Sequence, residues 1–387
     1  MRILLFSDLF CEDTTTFIYN EVTGLTARGH DVFYLCTERI NEKKFPFEPV
    51  AEIPYYVNPL LRKLRWYLEI YDQHLTFKNG IYSHKITKVI EEFKPDIIHC
   101  HFGYQALKLL DNYDYNKVPV VVTFHGYDAT FKFNRKSYVQ SINKHVQSEN
   151  MYVFLACDFF RKNFLKNNIP LDKATVLYCG IDIELFKRTN YGYDRKPFNF
   201  VQVSSFHTKK GHTITVQAFK KMLEAHPEFD CRLVFGGEGD HMEETRDLAR
   251  ELGIEDKVMF MGLVTPGQAK ELLENGHCFV HHSITSETGD SEACTNSIME
   301  AMAMELPVIS TWHGGIPEMV EDGVHGYLVN EKDVEMYAQR MWDIKDWGYR
   351  KQNRDHIKNK FELGIHITNL EDQFREIIRV STGRNRQ

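Results

Sequence analysis

The side chains best placed to do chemistry lie in Ser283–Met304, SITSETGDSEACTNSIMEAMAM. This stretch begins as a polar loop and turns into a helix at Thr295 or Asn296, either of which is a good N-cap. Glu292 falls in the loop and Glu300 in the second helical turn. At about 100° per residue, Glu300 comes round toward the face reached from the loop. The helix N-terminus offers free amides and a partial positive charge, which suit a phosphate. A carboxylate one turn further in can accept hydrogen bonds from both hydroxyls of a ribose. On its own, such a pair of glutamates is more often a solvated helix face.

Two more segments follow apolar runs. Val203–His212, VSSFHTKKGH, puts Lys209, Lys210 and Gly211 at a strand-to-helix turn. They suit a phosphate, or are simply solvated lysines. Phe235–Asp240, FGGEGD, gives the backbone room for a diphosphate at Gly237, or is a plain turn. Asp96–Gly103, DIIHCHFG, and Thr123–Asp128, TFHGYD, end two other runs with His101 and His125. A lone histidine there is usually structural, but two at strand ends aimed at one cleft favour a site. The first turn, Ser7–Thr16, has no glycine, so the Gly-x-Gly-x-x-Gly turn of an NAD or FAD domain is missing. Thr14–Thr16 offer hydroxyls and N-cap chemistry instead.

These segments punctuate an alternation of short apolar runs and helical stretches. Arg2–Ser7, Asp31–Cys36, Asp96–Cys100, Val118–Phe124, Met151–Cys157 and Thr175–Tyr178 read as strands buried on both faces. The pattern restarts with Phe198–Ser204, Cys231–Phe235, Lys257–Met261, His277–His281, Pro307–Ser310 and Gly326–Val329. Gly180–Pro197, polar and broken by glycine and proline, reads as a linker. The expected fold is α/β, with two Rossmann-like doubly wound domains facing a central cleft. Their expected bounds are 1–185 and 186–387, the last helix crossing back to the first domain. Asn41–Gly80 breaks the rhythm. Its Arg62, Lys63, Arg65, Trp66 and Tyr67 read as packed helical insertion or as a basic amphipathic surface for a membrane or lipid-linked substrate.

The 387 residues are 43% hydrophobic and carry a net charge of −7, which argues against a nucleic-acid binder. None of the eight cysteines forms a Cys-x-x-Cys pair, so neither a structural zinc nor a disulfide framework is expected. No apolar run reaches about 18 residues, and the N-terminus reads as a first strand rather than a leader. A cytoplasmic location is expected, peripheral to the inner membrane face if the insertion meets lipid.

Taken together, the motifs resemble the retaining glycosyltransferases of family four, with the GT-B architecture. The resemblance runs colinearly from Arg28-Gly29-His30 through TFHG, CGIDIELF, FGGEGD and SEACTNSIMEAMAMELPVIST to GGIPEMVEDGVHGYLV. Thr16-Phe17-Ile18 and Gly289-Asp290-Ser291-Glu292 look most like the colanic-acid and exopolysaccharide transferases. The resemblance implies that Lys210 binds the donor diphosphate and Glu300 the ribose. It places Glu292 at the sugar hydroxyls and reacting centre, Ala293, Cys294, Thr295 and Asn296 along sugar and β-phosphate, and Leu263 at the base. Ser205 and Gly237 join the donor side, and His125 lies beside the transferred sugar. His101 and Thr16 fall on the acceptor side.

The family's Gly-Arg-Leu reads Ser204-Ser205-Phe206 here, which removes the diphosphate arginine and leaves His207 or Lys209 to replace it. Glu-Gly-x-Pro reads Glu292-Ala293-Cys294-Thr295. The implied reaction moves a sugar with retention from a UDP- or GDP-sugar to a hydroxyl on a saccharide or lipid-linked saccharide, as in polysaccharide or glycolipid assembly. No cofactor is implied. With no Asp-x-Asp in the chain, no metal is expected on the diphosphate. Rivals are an epimerase or phosphorylase of the same fold, or a lapsed sugar-nucleotide-binding partner.

Overall fold

The computed structural model describes residues 1–12, 15–55 and 78–384. The chain divides into two compact units, Met1–Gly180 with Leu363–Gln387, and Ile181–Glu362.

The first unit is built on a parallel sheet. Its strands are β1 (Arg2–Phe10), β2 (Asp31–Arg39), β3 (Val50–Glu52), β4 (Ile97–His101), β5 (Val120–Phe124), β6 (Met151–Leu155) and β7 (Ala174–Val176). They lie in the order β3-β2-β1-β4-β5-β6-β7. All five residues of β4, of β5 and of β6 are buried, which is why they read as unbroken apolar runs. Helices α1 (Thr16–Ala27), α2 (Gly80–Phe93), α3 (Gly103–Leu110), α4 (Lys136–Val146) and α5 (Phe160–Lys166) cross between strands. The three-residue edge strand β3 was not expected, because VAE is too short to show a period.

The second unit repeats the plan with β8 (Phe198–Val203), β9 (Cys231–Gly236), β10 (Val258–Phe260), β11 (Cys278–Val280), β12 (Val308–Thr311) and β13 (Gly326–Val329). Their order is β10-β9-β8-β11-β12-β13, again parallel. The helices are α6 (His212–Ala225), α7 (Met242–Glu251), α8 (Pro266–Asn275), α9 (Asn296–Ala303), α10 (Val334–Asp343) and α11 (Lys351–Lys360). The last helix, α12 (Leu363–Arg384), returns to the first unit, where Ile367, Leu370, Phe374 and Ile377 join its core. In each sheet the strand order reverses beside the first strand, between β1 and β4 and between β8 and β11. Ligands of open α/β sheets bind at the carboxyl ends of strands at such points.

The segment expected to be a linker is instead fastened to the second unit. Arg188 is buried and donates from Nε to the Met304 carbonyl at 2.6 Å and from Nη2 to the Leu273 carbonyl at 2.8 Å. Its guanidinium lies 3.7 Å from the Tyr349 ring centroid. A polar sequence concealed a buried anchor.

Candidate active site

The second unit's switch point gathers charge. After β8 the chain makes a tight turn, Thr208–Lys210, closed by Gly211 at φ 60°. A Cβ on Gly211 would sit 1.8 Å from the His282 carbonyl oxygen, so only glycine lets this turn lie against the end of β11. The two lysines then reach the loop after β11. Lys209 Nζ lies 2.9 Å from Asp290 and 3.5 Å from Glu292, and Lys210 Nζ lies 2.9 Å from Glu292. Burial by itself would push the Glu292 carboxyl up, but the ammonium groups of Lys210 and Lys209 hold it well below the usual carboxylate range. Burial likewise works to lower Lys209, and Glu292 and Asp290 more than offset it. Lys209, considered as a stand-in for the missing arginine, is thus already paired, while His207 is exposed.

The backbone of Glu292 is held as well. Its amide donates to His313 Nε2 at 2.9 Å, and His313 Nδ1 donates to Glu331 Oε1 at 2.6 Å. Gly314, at φ 55°, packs beneath it, where a Cβ would come 2.1 Å from the Glu292 carbonyl oxygen.

Helix α9 starts just beyond. Thr295 occupies the N-cap position with extended backbone, but its hydroxyl makes no cap bond and Oγ1 is buried without a hydrogen-bond partner. Asn296 is the first helical residue rather than the cap. Glu300 projects from the second turn among buried Ile298, Met299, Ala301 and Met302. Among the described residues nothing hydrogen-bonds or pairs with its carboxylate, and burial pushes it up to about 7. Ala293 is buried, and Cys294 is half-buried with Asn296. Gly237 donates to the Gly262 carbonyl at 2.8 Å, which draws the ends of β9 and β10 together beside half-buried Ser205 and exposed Leu263. Lys209, Lys210, Asp290 and Glu292 thus form one cluster, with Ala293–Asn296 leading from it into α9.

The first unit carries a different cluster. Glu21, on the inner face of α1, lies 2.8 Å from His99 Nδ1 and 3.4 Å from His101 Nε2 through Oε1, and 3.3 Å from His366 Nε2 through Oε2. His101 Nδ1 lies 3.1 Å from His125 Nε2, and His99 Nε2 lies 2.7 Å from Thr123 Oγ1. Burial lowers His99 and drives His125 well below the usual imidazole range, with neighbouring imidazoles adding to it at His125. Asp128 fixes the His125 turn by accepting from the amides of His125 and Gly126 at 2.9 and 3.1 Å, and from Gly103 at 2.7 Å. Glu21, His99 and His101 each bring one ligand atom within 4.8 Å of the others, the only such trio among the described residues.

Two expectations change here. His101 is fully buried behind half-exposed His125, so it backs the site wall instead of lining it. The Thr15 hydroxyl pairs with Glu12 and caps nothing. Half-buried Thr16 begins α1. Thr14 and Arg62, Lys63, Arg65, Trp66 and Tyr67 lie outside the described residues. Sequence reasoning missed Glu21, Asp128, His313 and Glu331. A glutamate inside the Ile18-Val22-Leu25 stripe of α1 was the available signal for the first. For His313 and Glu331 it was polar residues just past β12 and β13.

Two family profiles meet near the boundary between the units. One, described as Glycosyltransferase Family 4, matches residues 14–185, and the other, Glycosyl transferases group 1, matches residues 185–362. The chain belongs to glycosyltransferase family 4. This family member is 24% identical to the putative colanic acid biosynthesis glycosyltransferase WcaL of Escherichia coli, over 88% of this chain and 90% of that one. It is 24% identical to the amylovoran biosynthesis glycosyltransferase AmsK of Erwinia amylovora, over 87% and 89%. Among solved structures, Anabaena HepE in complex with UDP superposes with a TM-score of 0.75 at 16% identity, over 97% of this chain and 100% of that chain. Sucrose-phosphate synthase from Thermosynechococcus elongatus gives 0.73 at 15%, over 98% and 100%. The fold is GT-B, and the family 4 enzyme is a retaining glycosyltransferase using a nucleotide-diphosphate sugar.

Proposed function

We propose that the second unit binds the donor through Lys210, Glu292 and Glu300, and that the sugar passes to a hydroxyl of a growing polysaccharide or glycolipid. The observation that carries this reading is the Lys210–Glu292 pair beside the start of α9, with the unpaired carboxylate of Glu300 one turn in. A diphosphate would take over the ammonium of Lys210 and meet the amides of α9. Glu300 would accept from the ribose hydroxyls. Released from Lys210, Glu292 would turn to the sugar hydroxyls, with Ala293–Asn296 along sugar and β-phosphate and Leu263 at the base. Departure of the diphosphate is the costly event in an oxocarbenium-like transition state, and fixed cations stabilise the leaving charge. The leaving phosphate would take the acceptor's proton on the front face. No metal is assigned to this step.

Neutral His125 is assigned to the transferred sugar. The acceptor is assigned to the first unit, where an open pocket of ≈ 470 Å³ lies at the ends of β1 to β3. Asp8, Glu12, Glu38 and Glu52 there can accept from sugar hydroxyls, and Tyr55 and Tyr104 offer rings to a sugar face. Among the described residues no helix is long and apolar enough to cross a membrane. We place the enzyme in the cytoplasm, at the inner face of the membrane when its acceptor is lipid-linked.

A thermal-shift screen against UDP, GDP, ADP and their sugars tests the donor reading, because a ligand of the folded state raises its melting temperature. A matching pair of nucleotide and sugar nucleotide should stand out. If none shifts the transition, the donor assignment falls.

A further inference from the structure

The reaction proposed for Glu292 needs its carboxylate to stay aimed after Lys210 turns to phosphate. Lys210 cannot do that aiming, since it is what the donor removes. The backbone can, and it is tied to two residues from the neighbouring strand ends.

We propose that His313 and Glu331 are positioning residues that hold the Glu292 backbone in register while its carboxylate changes partners. The proposal rests on the reading of Glu292 as the carboxylate at the donor sugar. A backbone amide can only donate, so the 2.9 Å bond from Glu292 fixes the lone pair of His313 on Nε2 and the proton on Nδ1. That proton points to Glu331 Oε1 at 2.6 Å. Glu331 also accepts from Thr285, from its amide at 2.8 Å and its hydroxyl at 3.1 Å. One carboxylate therefore clamps both ends of the loop 285–292, directly at Thr285 and through His313 at Glu292. The His313 side chain is 1% exposed and that of Glu331 29%, so the inner link is dry and the outer one braced from the rim. Gly314 packs against the following peptide, at the Glu292 carbonyl. His313 and Glu331 lie just past the ends of the adjacent strands β12 and β13, so the brace is anchored on the sheet and reaches out to the loop.

The test compares His313→Phe, His313→Gln, Glu331→Gln and Glu292→Gln in the full chain. Amide hydrogen exchange of the peptide spanning 285–292 should quicken by at least about tenfold in His313→Phe and Glu331→Gln. UDP release from UDP-glucose should slow by about 10–100-fold, with the affinity for UDP alone within about twofold of the parent. His313→Gln keeps an acceptor and a donor and should recover most of the lost rate. If His313→Phe fails to fold, His313→Gln and Glu331→Gln carry the exchange measurement. Adding His313→Phe to Glu292→Gln should cost little further rate, because both act through one carboxylate. Unchanged exchange, or equal losses in rate and UDP affinity, would overturn the brace. Parental turnover in Glu292→Gln would sink the parent reading instead, and the exchange data would still decide the brace.

Discussion

Both units place polar residues at a sheet's switch point, yet they solve the burial of charge in opposite ways. In the first, one carboxylate, Glu21, is surrounded by His99, His101 and His366, and little of it meets solvent. In the second, two lysines face two carboxylates in a cluster that solvent still touches. Imidazoles can hold a carboxylate without forcing a full opposite charge into the interior, so the first cluster suits a permanent support. Ammonium groups carry exchangeable charge, so the second suits a site whose partners are replaced by an arriving anion.

The comparison breaks first at Glu21. Glu21→Leu leaves three imidazoles without their common acceptor, and each buried polar group left unsatisfied costs about 1–3 kcal/mol. A chemical-denaturation midpoint that barely moves would show the cluster to be incidental. Lys210→Met should act on rate instead. Loss of a fixed cation at a leaving group costs on the order of 10²–10³ in turnover, read as release of the nucleoside diphosphate at saturating donor. A mutant retaining half the parental rate would remove Lys210 from the mechanism.

Acid sharpens the contrast. Burial lowers the buried histidines His281 to about 3 and His282 to about 4. The unfolded chain takes up protons as pH falls below about 6.5 and the folded chain does not, so stability drops between pH 6.5 and about 4. At pH 5.5 each such imidazole costs about 1 kcal/mol, and the melting temperature should fall by several degrees from its value at pH 7.5. A flat profile over that range contradicts the neutral, buried state of these rings.

Glu300 carries a smaller effect of opposite sign. Its raised pKa means that ionising it opposes folding as pH rises from about 4.5 to about 7. Glu300→Gln should therefore melt slightly higher than the parent at pH 8 without donor, and bind the donor about tenfold more weakly. Unchanged donor affinity would unseat the ribose assignment. Least of all should a chelator matter. Transfer should proceed unaltered after exhaustive treatment, and restoration by magnesium or manganese would reverse the metal-free reading.

The sheets were legible because strands buried on both faces have no choice but apolar sequence, as in VVVTF and MYVFL. The lysines and glutamates stood out because strand-end positions in such a fold rarely need charge. What the sequence withheld was partnership. Nothing local shows that Lys210 meets Glu292 rather than solvent, or that Glu292 leans on His313 twenty-one residues on. Those pairings arise from adjacent strands far apart in the chain. Burial was equally hidden, since His101 and His125 look alike in sequence and only the register of β4 against β5 puts one behind the other.

The return of α12 has a consequence for how the molecule can be taken apart. Gly180 lies against Leu363, where a Cβ would be 2.7 Å from the Leu363 Cα, and Ile181 donates to the Phe361 carbonyl at 2.8 Å. The second unit therefore enters and leaves the first fold at one doorway, like a cassette inserted into a host. Cutting the chain once at Gly180 would strip the host of the helix that carries Ile367, Leu370 and Phe374 into its core. Excising 181–362 and joining the two edges with a short linker would keep the host whole, and the same doorway could receive a cassette of different nucleotide preference.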